Sequence, residues 1–281
     1  MANYNYSVVI PYRDKYDMLV KAVASIPDRD DVQIIIIDNS VSPLPNEKVP
    51  VKEKAKVLFT ISSPTKGAGC ARNVGLKHVE GRFIVFLDAD DYFTPTAFIS
   101  FDKYLDSNYD IIYFDADSIR LIDGAKSDRH LGIHQYIESF LKDGNENQLR
   151  YRFVNPIAKM IRTELVNEHC ILFDEVKVSN DVMFSIYTGY YAKSVSASRD
   201  IVYVITEGEK GTTLTKSRNA ENQFIRFQVT IKRFLFLTEV GKKEHRPRLL
   251  GAFRIALFNY GPKEFLRYVR YAKENNVNIF K

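Results

Sequence analysis

Residues Val32 to Ile37 read Val-Gln-Ile-Ile-Ile-Ile, and runs of the same character recur at Ser7 to Ile10, Lys56 to Ile61, Phe83 to Leu87 and Asp110 to Phe114. A strand with one wet face alternates apolar and polar residues, whereas a near-continuous Val and Ile run suits a strand covered on both faces. Helix-like stretches, notably Lys15 to Ile26 and Ala68 to Val79, lie between several of these runs. Strands alternating with helices imply a mostly parallel central sheet flanked by helices on both sides, a doubly wound α/β fold of Rossmann-like outline.

With 281 residues, the chain has room for one large domain, or one plus an appendage. Its 45% hydrophobic and 27% charged residues exclude a disordered chain. Cys70 and Cys170 are too few for a disulfide framework and lack the partners of a zinc site, which points to a reducing cytosol. The opening Met-Ala-Asn-Tyr-Asn-Tyr has no basic stretch before an apolar core, and no window approaches the roughly 18 apolar residues of a membrane span. The expected location is cytoplasmic, at most peripheral on the inner face of the plasma membrane.

Beyond Ser118 the pattern loosens. One helix is expected at His134 to Lys142, periodic apolar spacing returns at Ile157 to Val166 and Val182 to Tyr191, and a strand-like stretch covers Ile201 to Ile205. Residues 119–209 are read as the acceptor-facing half of a domain spanning 1–209. Past Gly208 and Gly211 the texture changes. Phe224, Phe227, Ile231 and Leu235 follow helical spacing among Arg226, Lys232 and Arg233, and two more helices are expected at Arg248 to Asn259 and Pro262 to Asn275.

From residue 210 onward 16 Lys plus Arg stand against 5 Asp plus Glu, while the remainder carries 24 against 30. A basic helical appendage, 210–281, on an acidic body suggests an anionic membrane surface or another polyanion as partner. The same helices would equally serve as ordinary packing elements or as a homo-oligomer interface. Nucleic acid is not an expected partner.

The run at Phe83 ends in Phe86-Leu87-Asp88-Ala89-Asp90-Asp91-Tyr92. If the run is a strand, Asp88, Asp90 and Asp91 sit at the carboxyl edge of the sheet, where open α/β folds keep their ligands. Like charges this close are costly without a positive partner, and a divalent cation shared with substrate phosphates supplies one. The plainer alternative is a solvated acidic turn capping a helix that begins near Pro95, with Thr94 as N-cap.

Other strand ends add candidates. The first strand ends at Pro11-Tyr12-Arg13-Asp14 and the second at Asp38-Asn39-Ser40. Asp38 can accept hydrogen bonds from a base or ribose lying across the sheet, or serve only as a turn residue. Lys66-Gly67-Ala68-Gly69-Cys70-Ala71-Arg72-Asn73-Val74-Gly75 opens a helix with small residues, and its basic groups and N-terminus favour a negatively charged nucleotide. It matches neither the Walker A nor the Gly-x-Gly-x-x-Gly spacing. The five histidines, 78, 130, 134, 169 and 245, show no metal-ligand spacing and are expected to be structural or exposed.

Taken together, Pro11 after the first strand, Asp38 after the second, the segment around Ala71-Arg72-Asn73 and Asp88-Ala89-Asp90-Asp91 resemble the family-2 glycosyltransferases. The resemblance is strong over residues 5–118 and weaker to about 205. It implies a GT-A fold that binds a nucleotide-sugar, most often a uridine diphosphate sugar, with Mn²⁺ or Mg²⁺. By position, Asp38 would contact the uracil and Arg72 the base or phosphate region. Asp88 would face the ribose, and Asp90, with Asp88, would hold the metal. Pro11, Arg13, Lys66, Gly67 and Ala89 complete the implied donor site.

Members of the family usually carry an acidic pair opening a later helix, whose Asp is the catalytic base. Ser179-Asn180-Asp181-Val182 fits that segment, with Asp181 as base and Asn180 replacing the acidic neighbour; apart from the resemblance, the pair reads as a helix cap with Asp in the first turn. The resemblance thus implies an inverting hexosyl- or N-acetylhexosaminyltransferase acting on a carbohydrate or lipid-linked glycan acceptor. A nucleotidyltransferase would share the sheet and acids but needs a Gly-rich loop after the first strand, where Pro11-Tyr12-Arg13-Asp14 stands. A non-catalytic scaffold or polyanion-binding module would release no sugar from any donor.

Overall fold

The computed structural model describes residues 4–208 and 219–277. The chain runs β1 (Tyr4–Tyr12), α1 (Tyr16–Ala24), β2 (Val32–Asp38), β3 (Lys56–Ile61), α2 (Gly67–Leu76), β4 (Gly81–Phe86), β5 (Tyr92–Phe93) and α3 (Ala97–Asp102). It continues through β6 (Ile111–Arg120), α4 (Leu131–Asp143), α5 (Asn147–Tyr151), β7 (Lys159–Arg162), α6 (Thr163–Glu168), α7 (Val182–Tyr191) and β8 (Val195–Glu207). Helices α8 (Ala220–Glu239), α9 (Leu250–Tyr260) and α10 (Pro262–Glu274) follow.

The strands form one eight-stranded sheet, ordered β3-β2-β1-β4-β7-β6-β8-β5. β1 is parallel to β2 and β4, with Val9 opposite both Ile35 and Phe86, and β2 is parallel to β3. The apolar runs therefore end together, Tyr12 beside Asp38 and Asp38 beside Ile61, and the acidic turn follows β4 on the same edge. Every residue of β2 is buried, as its unbroken Ile run requires.

The second half departs from a purely parallel pattern. Periodic spacing over Ile157 to Val166 serves two elements: β7 wedges antiparallel between β4 and β6, with Ile161 opposite Ile84 and Ile111, and α6 follows at once. A short apolar run buried on both faces has no period that separates strand from helix, so its pairing partners decide. β8 runs parallel to β6, with register shifts on either side of Asp115, and β5 closes the edge antiparallel to β8. The helix expected near Pro95 begins at Ala97 instead. Thr94 is drawn to β8, where its backbone N–H reaches Val202 O at 3.0 Å and its hydroxyl Ile201 O at 2.7 Å.

Helix α2 lies directly on β1 and β2. A β-carbon at Gly75 would fall 2.7 Å from both Ile37 Cδ1 and Val9 Cγ1, closer than carbon atoms pack, so the small residues of this helix set its distance from the sheet. The main core spans both faces of the sheet, from Val8 and Ile35 to Phe101, Phe114 and Phe184. Helices α8 to α10 gather a separate cluster of Phe224, Phe227, Ile231, Phe253, Tyr268 and Ala272. A third cluster joins α8 to α7 through Val229, Leu237, Met183 and Ile186. α8 opens where the Asn219 side chain accepts the Asn222 N–H at 2.7 Å, and α10 opens with Pro262 in its first turn. The boundary expected at 209/210 lies outside the described residues.

Candidate active site

The acidic turn separates its three carboxylates. The Asp91 N–H closes the turn on Asp88 O at 2.9 Å, and the Asp91 side chain swings inward, 5% exposed. There it accepts the Tyr203 hydroxyl at 2.8 Å and the Thr206 N–H at 2.7 Å. The same Tyr203 oxygen accepts the Asp88 N–H at 3.1 Å, so one buried phenol fixes both ends of the turn. Burial, with Asp88 and Asp90 nearby, pushes the Asp91 carboxyl above the usual carboxylate range, against the pull of its two hydrogen bonds. Asp91 is thus a latch to β8, while Asp88 and Asp90 keep about a third or more of their side chains exposed.

Arg72 organises the floor beneath them. It is almost fully buried in α2; Nη2 donates to Asp88 Oδ1 at 2.6 Å and Nη1 to Asn180 Oδ1 at 2.9 Å, and the guanidinium lies over the Phe173 ring. A single cation therefore ties the end of β4 to the segment that opens α7. Asn73 adds a second tie, its side-chain amide exchanging two hydrogen bonds with the Phe173 backbone at 3.0 and 2.8 Å. Close approach is required here, because a β-carbon on Gly69 would sit 2.1 Å from Asp174 O. From the far side, Lys232 of α8 forms an ion pair with Asp174.

Asp181 precedes α7, half-buried beside this floor. Burial raises its carboxyl above the ordinary range; Arg72 and Lys159 pull it back down, and Asp88 pushes it up. Among the described residues no salt bridge engages its carboxylate. Lys159, on β7, is 1% exposed and donates to Phe153 O at 2.7 Å between the Phe153 and Tyr113 rings.

The remaining expected donor-site residues line the same edge. Asp38 is fully buried, and its two oxygens accept the N–H groups of Ser40 and Leu44, each at 2.7 Å, so it shapes the loop after β2. Asn39 bonds to Ser62 and Ser63, and Ser40 Oγ accepts the Asp14 N–H at 3.0 Å, joining the three strand ends. Pro11 is the penultimate residue of β1, while Arg13 is exposed, 3.5 Å from both Pro64 O and the Asp14 carboxylate. Lys66 pairs with Glu175 at 2.9 Å, Gly67 opens α2 with φ of 76°, and Ala89 is 8% exposed. Lys15 lies 3.4 Å from Asp90.

Among the described residues no group of three or more acidic, His or Cys side chains forms a complete cation cage. Asp88 and Asp90 are the two partly exposed carboxylates of the turn, paired with Arg72 at 2.6 Å and Lys15 at 3.4 Å respectively. Tyr203, Thr206 and Lys159 were not legible as site residues. Tyr203 is 115 positions from Asp88, and no local spacing links them.

Residues 7–170 match the model of Glycosyl transferase family 2. The chain is 35% identical over 118 residues to the Succinoglycan biosynthesis protein ExoW of Rhizobium meliloti, covering 40% of this chain and 35% of that protein. It is 21% identical over 268 residues to the Poly(ribitol-phosphate) beta-N-acetylglucosaminyltransferase TarS of Staphylococcus aureus, covering 91% and 44%. The chain thus spans less than half the length of these relatives. TarS 1-349, solved in complex with UDP-GlcNAc, superposes with a TM-score of 0.72 at 19% identity over 96% of this chain and 80% of that one. The mannosyltransferase PcManGT of Pyrobaculum calidifontis, solved with GDP-Man and Mn²⁺, gives 0.55 at 13% identity over 96% and 75%. The fold is that of the GT-A glycosyltransferases, and the chain belongs to glycosyl transferase family 2.

Proposed function

We propose that the chain is an inverting, metal-dependent glycosyltransferase that moves a hexosyl or N-acetylhexosaminyl group from a UDP-sugar to a hydroxyl of a growing polysaccharide, glycolipid or glycoprotein glycan. The observation that carries this reading is the Arg72 bridge between Asp88 and Asn180, which ties the acidic turn to the residue next to Asp181. The donor diphosphate would lie against Asp88 and Asp90, with Arg13, Lys66 and the opening of α2 at the nucleotide side. The names of ExoW and TarS, succinoglycan biosynthesis and sugar transfer to poly(ribitol-phosphate), support glycopolymer synthesis as the setting.

In the transfer step Asp181 accepts the proton of the acceptor hydroxyl as that oxygen bonds to the anomeric carbon. The bond from that carbon to the diphosphate breaks with its electron pair leaving on the phosphate oxygen. Attack from the face opposite the leaving group inverts the anomeric centre. Asp90 and Asp88 would hold a divalent cation, which would supply neutralisation of the charge that builds on the leaving diphosphate. Arg72 keeps Asp88 oriented and, through Asn180, fixes the start of α7 from which Asp181 acts. Asp90→Ala should weaken donor binding at least tenfold with Mn²⁺ present and abolish the difference between Mn²⁺ and chelator. Calorimetry with UDP-sugars checks this, and equal affinity with and without Mn²⁺ in the parent protein would remove the metal from the reading.

The basic helices fit a contact with anionic lipid, which would bring the site to a lipid-linked acceptor. Leu250 and Phe258 of α9 and Leu266 of α10 are 65%, 76% and 62% exposed, interspersed with Arg254, Lys263 and Arg270. Among the described residues no helix is long and apolar enough to cross a membrane. Co-sedimentation with phosphatidylglycerol vesicles is expected and should weaken with salt; binding to neither anionic nor neutral vesicles would dispose of this contact.

A further inference from the structure

A second group of titratable side chains stands in the acceptor half, outside the arrangement described above. Asp115 lies near the middle of β6 and is 4% exposed, with register shifts against β8 on either side of it. Bulges of this kind re-aim a side chain and concentrate near active sites. One Asp115 oxygen accepts the Ala116 N–H at 2.8 Å, and the other meets His134 Nδ1 at 2.6 Å. His134 itself is 51% exposed, in the first turn of α4. A buried carboxylate is unfavourable without a charged partner, and here that partner is an imidazole whose other nitrogen is left for a ligand.

The topology brings this pair to the side of Asp181. β6 runs toward the ligand edge, so α4, which follows it, begins there, as α7 does before β8. Tyr113, two residues before Asp115, is opposite Lys159 in the ladder and packs with Phe153, which Tyr136 of α4 also touches. Lys159 is in turn close enough to Asp181 for each to shift the other's proton affinity. The dyad and the candidate base therefore share one face of the sheet at one end.

We propose that His134, oriented by Asp115, is an acceptor-sugar subsite in which its Nε2 hydrogen-bonds a hydroxyl of the glycan. This rests on the glycosyl-transfer reading. The ligand class follows from the surrounding charge. Asp115 from β6 and Glu138 one turn along α4 face His134 and Arg199 of β8, and Arg199 grips Glu138 through contacts of 2.6 and 3.1 Å. Nearby His130 is occupied by Ser118 at 2.7 Å, and Asp117 is 3.6 Å from Lys126. A surface of balanced charge with one fixed, half-exposed ring nitrogen suits a neutral hydroxyl better than a phosphate. The hydrogen bond to Asp115 raises the proton affinity of the imidazole above its ordinary value, and a sugar hydroxyl can meet Nε2 as donor or as acceptor.

Two measurements test the assignment. His134→Phe should raise the acceptor KM about tenfold or more, the loss expected for a hydrogen bond to a charged group, and by several-fold more than it raises the donor KM. His134→Gln, which keeps a donor, should recover part of that loss, and Asp115→Asn should reproduce part of it. Independently of turnover, the His134 ring resonance of the parent protein, assigned with His134→Gln, should shift on titration with methyl glucoside or methyl N-acetylglucosaminide. Equal changes in both KM values, or a resonance unmoved by either glycoside, would overturn the subsite. A shift with inorganic phosphate alone would replace the neutral sugar by an anion and equally overturn it. If no donor is turned over, the transfer reading fails, while the glycoside titration still decides this one.

Discussion

Asp181→Asn is expected to lower sugar transfer by about 10²–10⁴-fold while donor binding persists, because the amide keeps the shape of the side chain and cannot take the hydroxyl proton. The residue's surroundings also set the pH dependence. Burial holds its carboxyl above the usual carboxylate range, with Arg72 and Lys159 opposing. The base works only when ionised, so activity should fall as pH drops through this raised value, higher than the roughly 3.9 of a free Asp. The pH profile of kcat for the parent protein, together with calorimetric UDP-sugar binding to Asp181→Asn, checks both parts. Near-normal turnover by the variant would reject Asp181 as base.

The largest expected effect on stability comes from Lys159. With no solvent to hold its charge and one carbonyl as hydrogen-bond partner, its amine is depressed from 10.5 to about 7, Asp181 pulling the other way. Between about pH 7 and the lysine's unfolded value the unfolded chain binds the extra proton, so folding stability must rise with pH through that window. The slope from this one group is about 1.4 kcal/mol per pH unit. Lys159→Met has no such titration. Urea unfolding at about pH 7 and about pH 9.5 should therefore show the parent gaining roughly 3 kcal/mol relative to the variant. A constant difference between the two would mean that the ammonium stays charged. The variant also links the two predictions, since removing the cation should move the acid limb of kcat to higher pH.

The parallel half of the fold was legible because burial on both faces leaves a strand no polar position to spend, and the Ile run of β2 could be little else. That Asp38, Asp88 and Asp90 would lie along one edge was legible too, since a parallel sheet brings strand ends together. What could not be read was anything set by pairing over long separations. Asp88 and Asp91 look alike in sequence, yet Tyr203 and Thr206, more than a hundred residues away, turn one inward and leave the other facing the site. His134 carried no spacing signal because its partner, Asp115, is 19 positions away on a different kind of element.

Local chemistry in the chain determined that there would be a buried parallel sheet, an acidic turn at its carboxyl edge and basic helices at its end. These follow from side-chain polarity and period, which act over a few residues. Only tertiary structure decided which carboxylate became a latch, which lysine lost its solvent, and which arginine joined the two halves of the site. Those outcomes depend on desolvation and hydrogen bonding between groups that meet only when the sheet has closed.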